Sequence, residues 1–452
     1  MRSKLSINFF LIPAAVFSLL ISSSAAQEAS KKRPKIKDFG SSLERLKWDP
    51  LKNAAIKRTH PDQSTTNSDE DDVVRIDTNL VMSDILVVDQ KGNIVTGLTA
   101  DDFVITEDGE AQQVGHFRLG DNISIPRTIV LIFDYSGSQF PYLRNSVNAA
   151  KLMVDKLAPR DRMAIVTDDV ELLVDFTDDK KKLKEKLESL ANRVKDSSFL
   201  GLIGKARRFG KSAQYSALLA TLNEAFLEED LRPIIVFQTD GDEIFNMRDP
   251  VIKASLPPDL PDDFRQELGR IEKQRQLEFP PEILEFSLAD VYRAVERSRA
   301  TIYTVVPGYQ LVGLTEEKRA EKTKERIERL RAEFLAKVDP KRRKLFEDSD
   351  RRWRRFSPVN LAFQANQMFV TQTALAAVAP RTGGWTEFLE KPEQAEGIYN
   401  RIFADINQRY LVGYYPTNKE LDGKRRRIKF EVKGRPEYTI LGRNYYYAPS
   451  DR

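Results

Sequence analysis

Hydrophobic and polar positions follow two different patterns along the chain. Over residues 73–120, short runs rich in β-forming residues are separated by turn sequences such as Gln90-Lys91-Gly92-Asn93 and Asp108-Gly109. These runs predict strands at 76–88, 103–107 and 114–118. The pattern indicates a small antiparallel β module.

From Arg127 onward, strand patterns alternate with helix patterns. The continuous apolar run at 128–133 is typical of a strand that is covered on both faces of a parallel sheet. Further strands are predicted at 163–166, 172–176, 233–239 and 301–306, and helices at 143–157, 183–194, 217–227, 288–295, 364–378 and 394–406. Repeated strand–helix units predict an α/β fold with a doubly wound, Rossmann-like sheet.

The β pattern returns after Arg409, with runs at 410–415, 428–432 and 438–441. We therefore expect an α/β domain over 126–408, inserted between an N-terminal β module at 73–120 and a C-terminal β segment at 409–452. The two β parts are expected to pair, because each alone has too few strands for independent stability. Two charged stretches, at about 249–285 and 309–358, interrupt the α/β pattern and are interpreted as insertions.

The N-terminus has the pattern of a secretory signal peptide over residues 1–26. A basic start is followed by an apolar run at 9–21 and by small residues before Gln27. This run is shorter than the roughly 20 residues that cross a bilayer, so we expect export to the periplasm or the exterior and no transmembrane segment. The polar sequence at 27–72 predicts a disordered linker.

Composition excludes several kinds of site. The 452 residues include no cysteine, so disulfides, iron–sulfur clusters and cysteine nucleophiles are excluded. With only two histidines, multi-histidine metal sites are excluded as well. A serine hydrolase is not indicated, because no G-x-S-x-G sequence is present and His116 lies in a predicted strand of the β module.

The second insertion is the most basic part of the chain. Residues 316–355 contain 16 basic and 10 acidic residues, a net charge of +6. Ile327, Leu330, Phe334 and Val338 lie at helical spacing, which favours a solvated helical hairpin that packs through this stripe. The alternative is a basic arm that contacts polyanions such as acidic glycans, nucleic acid or a membrane surface.

Polar side chains follow two predicted strands and begin one helix. Asp134, Ser136 and Ser138 come directly after the strand at 128–133, Asp240 follows the strand at 233–239, and Ser212 precedes the next predicted helix. Carboxylate and hydroxyl oxygens suit Mg²⁺ or Mn²⁺, and strand ends are where α/β folds bind ligands. Locally, the same residues could instead cap a helix or form a turn.

Together, Asp134, Ser136, Ser138, Ser212 and Asp240 resemble the metal-ion-dependent adhesion site of von Willebrand factor type A domains. The segments at 76–117, 382–384, 410–418 and 446–449 are similar to a family of secreted bacterial proteins that carry such a domain.

The resemblance implies a divalent metal, Mg²⁺ or Mn²⁺, held by these five residues with one coordination position open. A carboxylate from a protein partner is expected to fill that position. Asp134 and Asp240 would supply charge, partly through bound water, and the three serines direct oxygen ligands. The residues expected to border the partner are Tyr135, Gln139 and Lys211. The chain departs from the family at Ser212, where threonine is usual, and at Lys211, where glycine is common.

The function predicted from the sequence is metal-dependent protein binding, with no enzymatic activity and no nucleotide. One alternative is a metal-independent extracytoplasmic scaffold that acts through its basic insertion. A Mg²⁺-dependent phosphohydrolase is a further alternative, because Asp134 follows an apolar strand, but Ser136 stands where that chemistry needs a second aspartate. The glycine–lysine–serine run at 204–212 has one residue too many for a phosphate-binding loop.

Overall fold

A computed structural model describes residues 33–49, 54–57, 80–119, 125–196, 212–227, 230, 232–249, 284–337, 343 and 357–450. The chain divides into two units, residues 1–35 and 36–452, and only 33–35 of the first unit are described. The predicted signal peptide and most of the insertion at 249–285 lie outside the described residues. Within the described ranges, no helix is long and apolar enough to cross a membrane.

Strands and helices of the described residues are numbered in chain order. The strands are β1 Leu46–Asp49, β2 Ala54–Lys57, β3 Val81–Val88, β4 Phe103–Glu107, β5 Glu110–Gln112, β6 Val114–Leu119, β7 Arg127–Phe133, β8 Arg162–Thr167, β9 Leu172–Thr177, β10 Arg232–Gln238, β11 Thr301–Pro307, β12 Thr386–Leu389, β13 Tyr410–Tyr414, β14 Arg425–Val432, β15 Thr439–Leu441 and β16 Tyr445–Tyr447. The α-helices are α1 Phe140–Asp155, α2 Lys180–Asp196, α3 Gln214–Glu224, α4 Leu288–Arg297, α5 Glu316–Lys337, α6 Ser357–Ala376 and α7 Ala395–Gln408.

The central element is a six-stranded sheet in the order β12-β11-β10-β7-β8-β9. Its strands are parallel except for β9, which pairs antiparallel with β8 at one edge. The first parallel strand, β7, lies in the interior of the sheet, and later strands extend the sheet on both sides of it. This order confirms the predicted doubly wound α/β class, with a β-rich module around it.

Helices cover both faces of this sheet, as the sequence of β7 requires. Ile129, Leu131 and Phe133 pack into a core with residues of α1, α2 and α7. Val130 and Ile132 point to the other face and pack with α3, α4 and α6. Because successive side chains of a strand alternate between faces, a strand covered on both sides must be apolar throughout. The continuous apolar run is thereby explained.

The β module is built from both ends of the chain, as predicted. One four-stranded antiparallel sheet has the order β15-β3-β13-β6, and the other has the order β16-β14-β4-β5. In each sheet, strands that precede the α/β domain pair with strands that follow it. Residues of both sheets share one core, which includes Ile85, Phe103, Tyr410 and Phe430. Two incomplete sets of strands thus complete each other.

Part of the segment predicted as a disordered linker over 27–72 is structured. The carboxylate of Glu224, at the end of α3, accepts the backbone N–H groups of Gly40 and Ser42 at 2.9 and 2.6 Å. Four apolar side chains pack against the core on that face of the sheet: Ile36, Phe39, Leu43 and Leu46. Only Leu43 of these lies in the 3₁₀ helix Ser41–Arg45, which is too short for a period to be recognised in the sequence.

The helix α5 is the longest described element of the second insertion, and it packs along α6 with Arg319 and Arg329 directed inward. The guanidinium of Arg319 lies 3.9 Å from the centre of the Phe369 ring, and that of Arg329 lies 5.1 Å from the Tyr309 ring. Ile327, from the predicted apolar stripe, is exposed, whereas the side chains of Leu330, Phe334 and Val338 lie outside the described part of the chain. The exposed charged residues up to position 329 are Glu316, Glu317, Lys318, Glu321, Lys324, Glu325 and Glu328. This outer face is more acidic than basic, so a polyanion contact stays a prediction for the undescribed part of the insertion.

A buried arginine joins the β module to the α/β domain. Arg409, which has no solvent exposure, donates to Asp405 Oδ1 at 2.6 Å, to the Asp84 carbonyl at 3.0 Å and to the Gly383 carbonyl at 2.7 Å. Asp84 lies on β3 of the module, and its carboxylate also accepts a bond from Arg232 Nη2 at 3.1 Å. A buried charge is tolerated only where it is paired and hydrogen-bonded in this way.

Replacement of Arg409 tests whether it stabilises the contact between the β module and the α/β domain. We expect Arg409→Ala to lower the free energy of unfolding by about 3–5 kcal/mol, because it leaves Asp405 buried without its partner. Urea denaturation followed by circular dichroism measures the loss. Lys429→Ala is the control, since Lys429 pairs with Glu431 in solvent, and it is expected to cost less than about 1 kcal/mol. Equal losses in the two variants would contradict the assigned role.

Candidate functional site

Two carboxylates lie at the same edge of the sheet because their strands are neighbours. β7 and β10 pair in parallel with Phe133 opposite Gln238, so the residues that follow them leave the sheet side by side. The N–H of Asp134 donates to the Gln238 carbonyl at 3.1 Å and extends this pairing by one residue. Asp240 lies two residues after Gln238, the last residue of β10. The carboxyl edge of a doubly wound sheet is the usual place for a binding site.

The loop after β7 brings two hydroxyls beside the first carboxylate. Asp134 is buried, and its Oδ1 accepts the Ser136 N–H at 2.9 Å. Its Oδ2 accepts the Thr239 hydroxyl at 2.8 Å, and Thr239 Oγ1 in turn accepts the Gly241 N–H at 3.0 Å. The Oγ atoms of Ser136 and Ser138 are 3.1 Å apart. Thr239 therefore fixes the Asp134 carboxylate to the loop after β10.

Gln139 connects this loop to the second carboxylate. Its Nε2 donates to Asp240 Oδ2 at 2.9 Å and to Ser138 Oγ at 3.3 Å. The side chain of Gln139 is buried, and its Oε1 has no hydrogen-bond partner among the described residues. Gln139 was expected to border a partner, and the structure places it inside the site instead.

A third segment reaches the carboxylates from the start of α3. The Nε2 of Gln214 lies 3.4 Å from Asp134 Oδ2, 3.4 Å from Asp240 Oδ1 and 2.7 Å from Asp242 Oδ1. On the other side of the same amide, Gln214 Oε1 accepts the Glu243 N–H at 3.2 Å. One fully buried amide thus contacts both loops that follow the central strands.

Glu243 holds the start of α3 in place. Its buried carboxylate accepts the N–H groups of Tyr215 and Ser216 and the Ser216 hydroxyl. These are groups that have no partner within the helix itself. Burial raises the pKa of Glu243 to about 7, although the hydrogen bonds from Ser216 and Tyr215 act in the opposite direction. The position of Gln214 follows from this anchoring.

The carboxylates of the site lie close enough together to disfavour each other's charged form. Loss of hydration, followed by the nearby carboxylates of Asp134 and Asp242, raises the pKa of Asp240 well above its usual range. The hydrogen bonds described for Asp134 and Asp240 come from backbone, hydroxyl and amide donors rather than from lysine or arginine. Two carboxylates with two hydroxyls are oxygen donors that suit Mg²⁺ or Mn²⁺. These residues therefore fit a divalent cation, although the described residues contain no group of three acidic or histidine ligands.

The structure brings together four of the five residues that the sequence singled out as metal ligands: Asp134, Ser136, Ser138 and Asp240. Ser212 is described, but the residue of this segment that bonds to Asp134 and Asp240 is Gln214, two residues further on. Lys211 lies outside the described residues. Tyr135 is mostly buried and donates its N–H to Asp168 Oδ1 at 3.2 Å. That these residues hold a metal stays a prediction.

Sequence reasoning missed four members of the cluster: Gln214, Thr239, Asp242 and Glu243. Three of them directly follow β10 in the run Thr-Asp-Gly-Asp-Glu, so the signal was present as a polar cluster at a strand end. Gln214 gave no such signal, because an isolated glutamine before an apolar helix is an ordinary residue.

Comparisons with known proteins agree with this architecture only loosely. No family model and no curated protein matches the chain. A von Willebrand factor type A protein from Catenulispora acidiphila is 10% identical with a TM-score of 0.33, covering 84% of this chain and 76% of that one. The von Willebrand factor domain of a type V pilus tip protein from Porphyromonas gingivalis is 12% identical with a TM-score of 0.28, covering 63% and 95%. The manganese-loaded TRAP protein of Plasmodium vivax is 11% identical with a TM-score of 0.25, covering 77% and 100%.

Values this low carry no inference about function. The fold class of the chain rests on its own strand order and layers.

Removal of one hydroxyl tests the architecture of the site. We expect Thr239→Val to lower the free energy of unfolding by about 1–3 kcal/mol, because it leaves an oxygen of Asp134 and the Gly241 N–H without their partner. Thr373→Val is the matched control: Thr373 is exposed on α6 and bonds only within its own helix, so a change below about 0.5 kcal/mol is expected. Urea denaturation of both variants measures the free energy of unfolding. An unchanged value in Thr239→Val would contradict the role assigned to the Thr239 hydroxyl.

Proposed function

We propose that the chain is an adhesion-type binding module whose carboxylate pair holds a divalent cation and, through it, a protein partner. The observation that carries the proposal is the convergence of Asp134, Asp240 and the hydroxyls of Ser136 and Ser138 at one sheet edge, with no lysine or arginine bonded to the two carboxylates among the described residues. The bound cation would supply positive charge that a carboxylate of the partner can complete. The resemblance of these residues to the metal-ion-dependent adhesion site of von Willebrand A domains supports this function.

Binding fits the site better than catalysis does. A hydrolytic reaction needs a positioned base or nucleophile, and His116 lies on β6 of the β module rather than at this edge of the sheet. The residues that surround Asp134 and Asp240 are donors that fix their carboxylates in place. A rigid pair of carboxylates, whose ionised form a cation would stabilise, is suited to holding one.

The surface beside the cluster offers an apolar contact. Phe140, the first residue of α1, is 44% exposed and directly follows Gln139. An exposed aromatic ring next to a charged contact is a common feature of protein interfaces. We infer a partner that presents an acidic residue beside an apolar one. Export of the chain stays part of this proposal, because it rests on the sequence of residues 1–26.

Calorimetric titration of Mg²⁺ and Mn²⁺ into the chain without residues 1–26 tests the metal site. We expect saturable binding to one site, and a loss of affinity of about 100-fold or more in Asp134→Ala and Ser136→Ala, since even residues behind the ligands contribute 10–100-fold in metal proteins. Asp101→Asn, which removes an exposed carboxylate of the β module, should leave the titration unchanged. Absence of binding to the unmodified chain, or unchanged binding to Asp134→Ala, would contradict the proposal.

A second measurement tests for carboxylate capture. With Mn²⁺ bound, we expect N-acetyl-aspartate amide to reduce the water proton relaxation enhancement, because its carboxylate replaces coordinated water. N-acetyl-asparagine amide is the matched control and should have no effect. The same response to both compounds would exclude an open position selective for carboxylates.

A further inference from the structure

The amide nitrogen of Gln214 occupies the space between the two carboxylates. It lies 3.4 Å from an oxygen of Asp134 and 3.4 Å from an oxygen of Asp240, and it donates to Asp242 at 2.7 Å. An amide nitrogen at such distances from two carboxylates lies close to the position of a cation shared between them. Gln214 is therefore in a position to compete with that cation.

The orientation of this amide is determined by its other end. Gln214 Oε1 accepts the backbone N–H of Glu243 at 3.2 Å. A turn of the amide by 180° would place its NH₂ group against that N–H and its oxygen against three carboxylates. Both changes are unfavourable, so the nitrogen faces the carboxylates by necessity. Gln214 is therefore a hydrogen-bond donor to the carboxylates, and its own oxygen is bonded to the Glu243 N–H on the other side.

Gln139 makes the matching contact on the other oxygen of Asp240. Its Nε2 is 2.9 Å from Oδ2, whereas the Nε2 of Gln214 is 3.4 Å from Oδ1. Both oxygens of Asp240 are thus bonded to amide donors. An amide satisfies a carboxylate without neutralising it, which leaves the charge that attracts a cation in place.

We propose that Gln214 and Gln139 set the cation affinity of this site by competing, as hydrogen-bond donors, for the oxygens of Asp134 and Asp240. The inference rests on the proposed metal-binding function and adds a regulation of that same site. A cation that enters must displace the Gln214 amide from its place between the carboxylates. The chain therefore binds the cation less tightly than the same carboxylates would without these donors, and it stays ordered when the cation leaves.

Substitution of each glutamine by methionine, which has a similar length and no donor, tests the competition. Calorimetry with Mn²⁺ alone as the probe should show affinity about tenfold higher in Gln214→Met, the equivalent of one hydrogen bond to a charged group. Without metal, the variant should melt at a lower temperature than the unmodified chain, and saturating Mn²⁺ should raise its melting temperature by more. Gln139→Met should likewise raise the Mn²⁺ affinity and lower the melting temperature without metal. It provides a second test if Gln214→Met does not fold.

Gln372→Met is the matched control. Gln372 is also buried and also bonded at both ends, to the Tyr309 carbonyl at 2.7 Å and the Leu311 N–H at 2.8 Å, but both partners follow β11 and neither belongs to the cluster. It should lower the melting temperature without a change in Mn²⁺ affinity. This separates a general loss of stability from an effect on the site.

The outcomes distinguish the two proposals. Weaker or unchanged Mn²⁺ binding in both glutamine variants overturns the competition, whereas binding by the unmodified chain would still support the metal site. Mn²⁺ binding that is detected only after Gln214→Met would support the competition and contradict the proposed function of the unmodified chain. If neither the unmodified chain nor any variant binds Mn²⁺, the metal site and the competition both fail.

Discussion

The parallel pairing of β7 with β10 is the constraint on which the candidate site depends. Their register places Phe133 opposite Gln238, so that Asp134 and the run from Thr239 to Glu243 leave the sheet at the same point. Two carboxylates that the chain separates by more than a hundred residues become neighbours through backbone hydrogen bonds alone. The buried side chains of β7 then hold this register, because a slip of one residue would exchange the two faces that contact different helices.

The β module is formed by the strands that precede and follow the same α/β domain. Each of its sheets combines strands from before and after the α/β domain, so neither set of strands forms a complete sheet without the other. Arg409 stands where the chain passes from α7 into β13, and it bonds to elements of both parts. A buried ion pair of this kind is weak evidence for high stability. It does fix the geometry between its partners, because few arrangements satisfy all of the hydrogen-bond donors of the arginine.

Much of this architecture could be predicted from local pattern. The apolar strands, the helices between them and the polar residues at the ends of β7 and β10 are all visible in short windows of sequence. The strand β12 was missed because it has only four residues at the edge of the sheet, too few for a period to be recognised. The packing of α5 was misjudged for another reason. Its arginines stack on Phe369 and Tyr309, whereas hydrophobic periodicity assigns the inner face to apolar residues such as Ile327.

The role of Gln214 could not be predicted, because it depends on contacts across the fold. Its significance lies in the kind of donor that it provides. A lysine or arginine at this place would neutralise the carboxylates and hold them permanently, as Arg409 holds Asp405 elsewhere in the chain. A glutamine satisfies the same oxygens without adding charge, so the cluster is ordered and the amide adds no positive charge that would repel a cation. A site that must accept a cation and also release it needs both properties, and neutral donors supply them together.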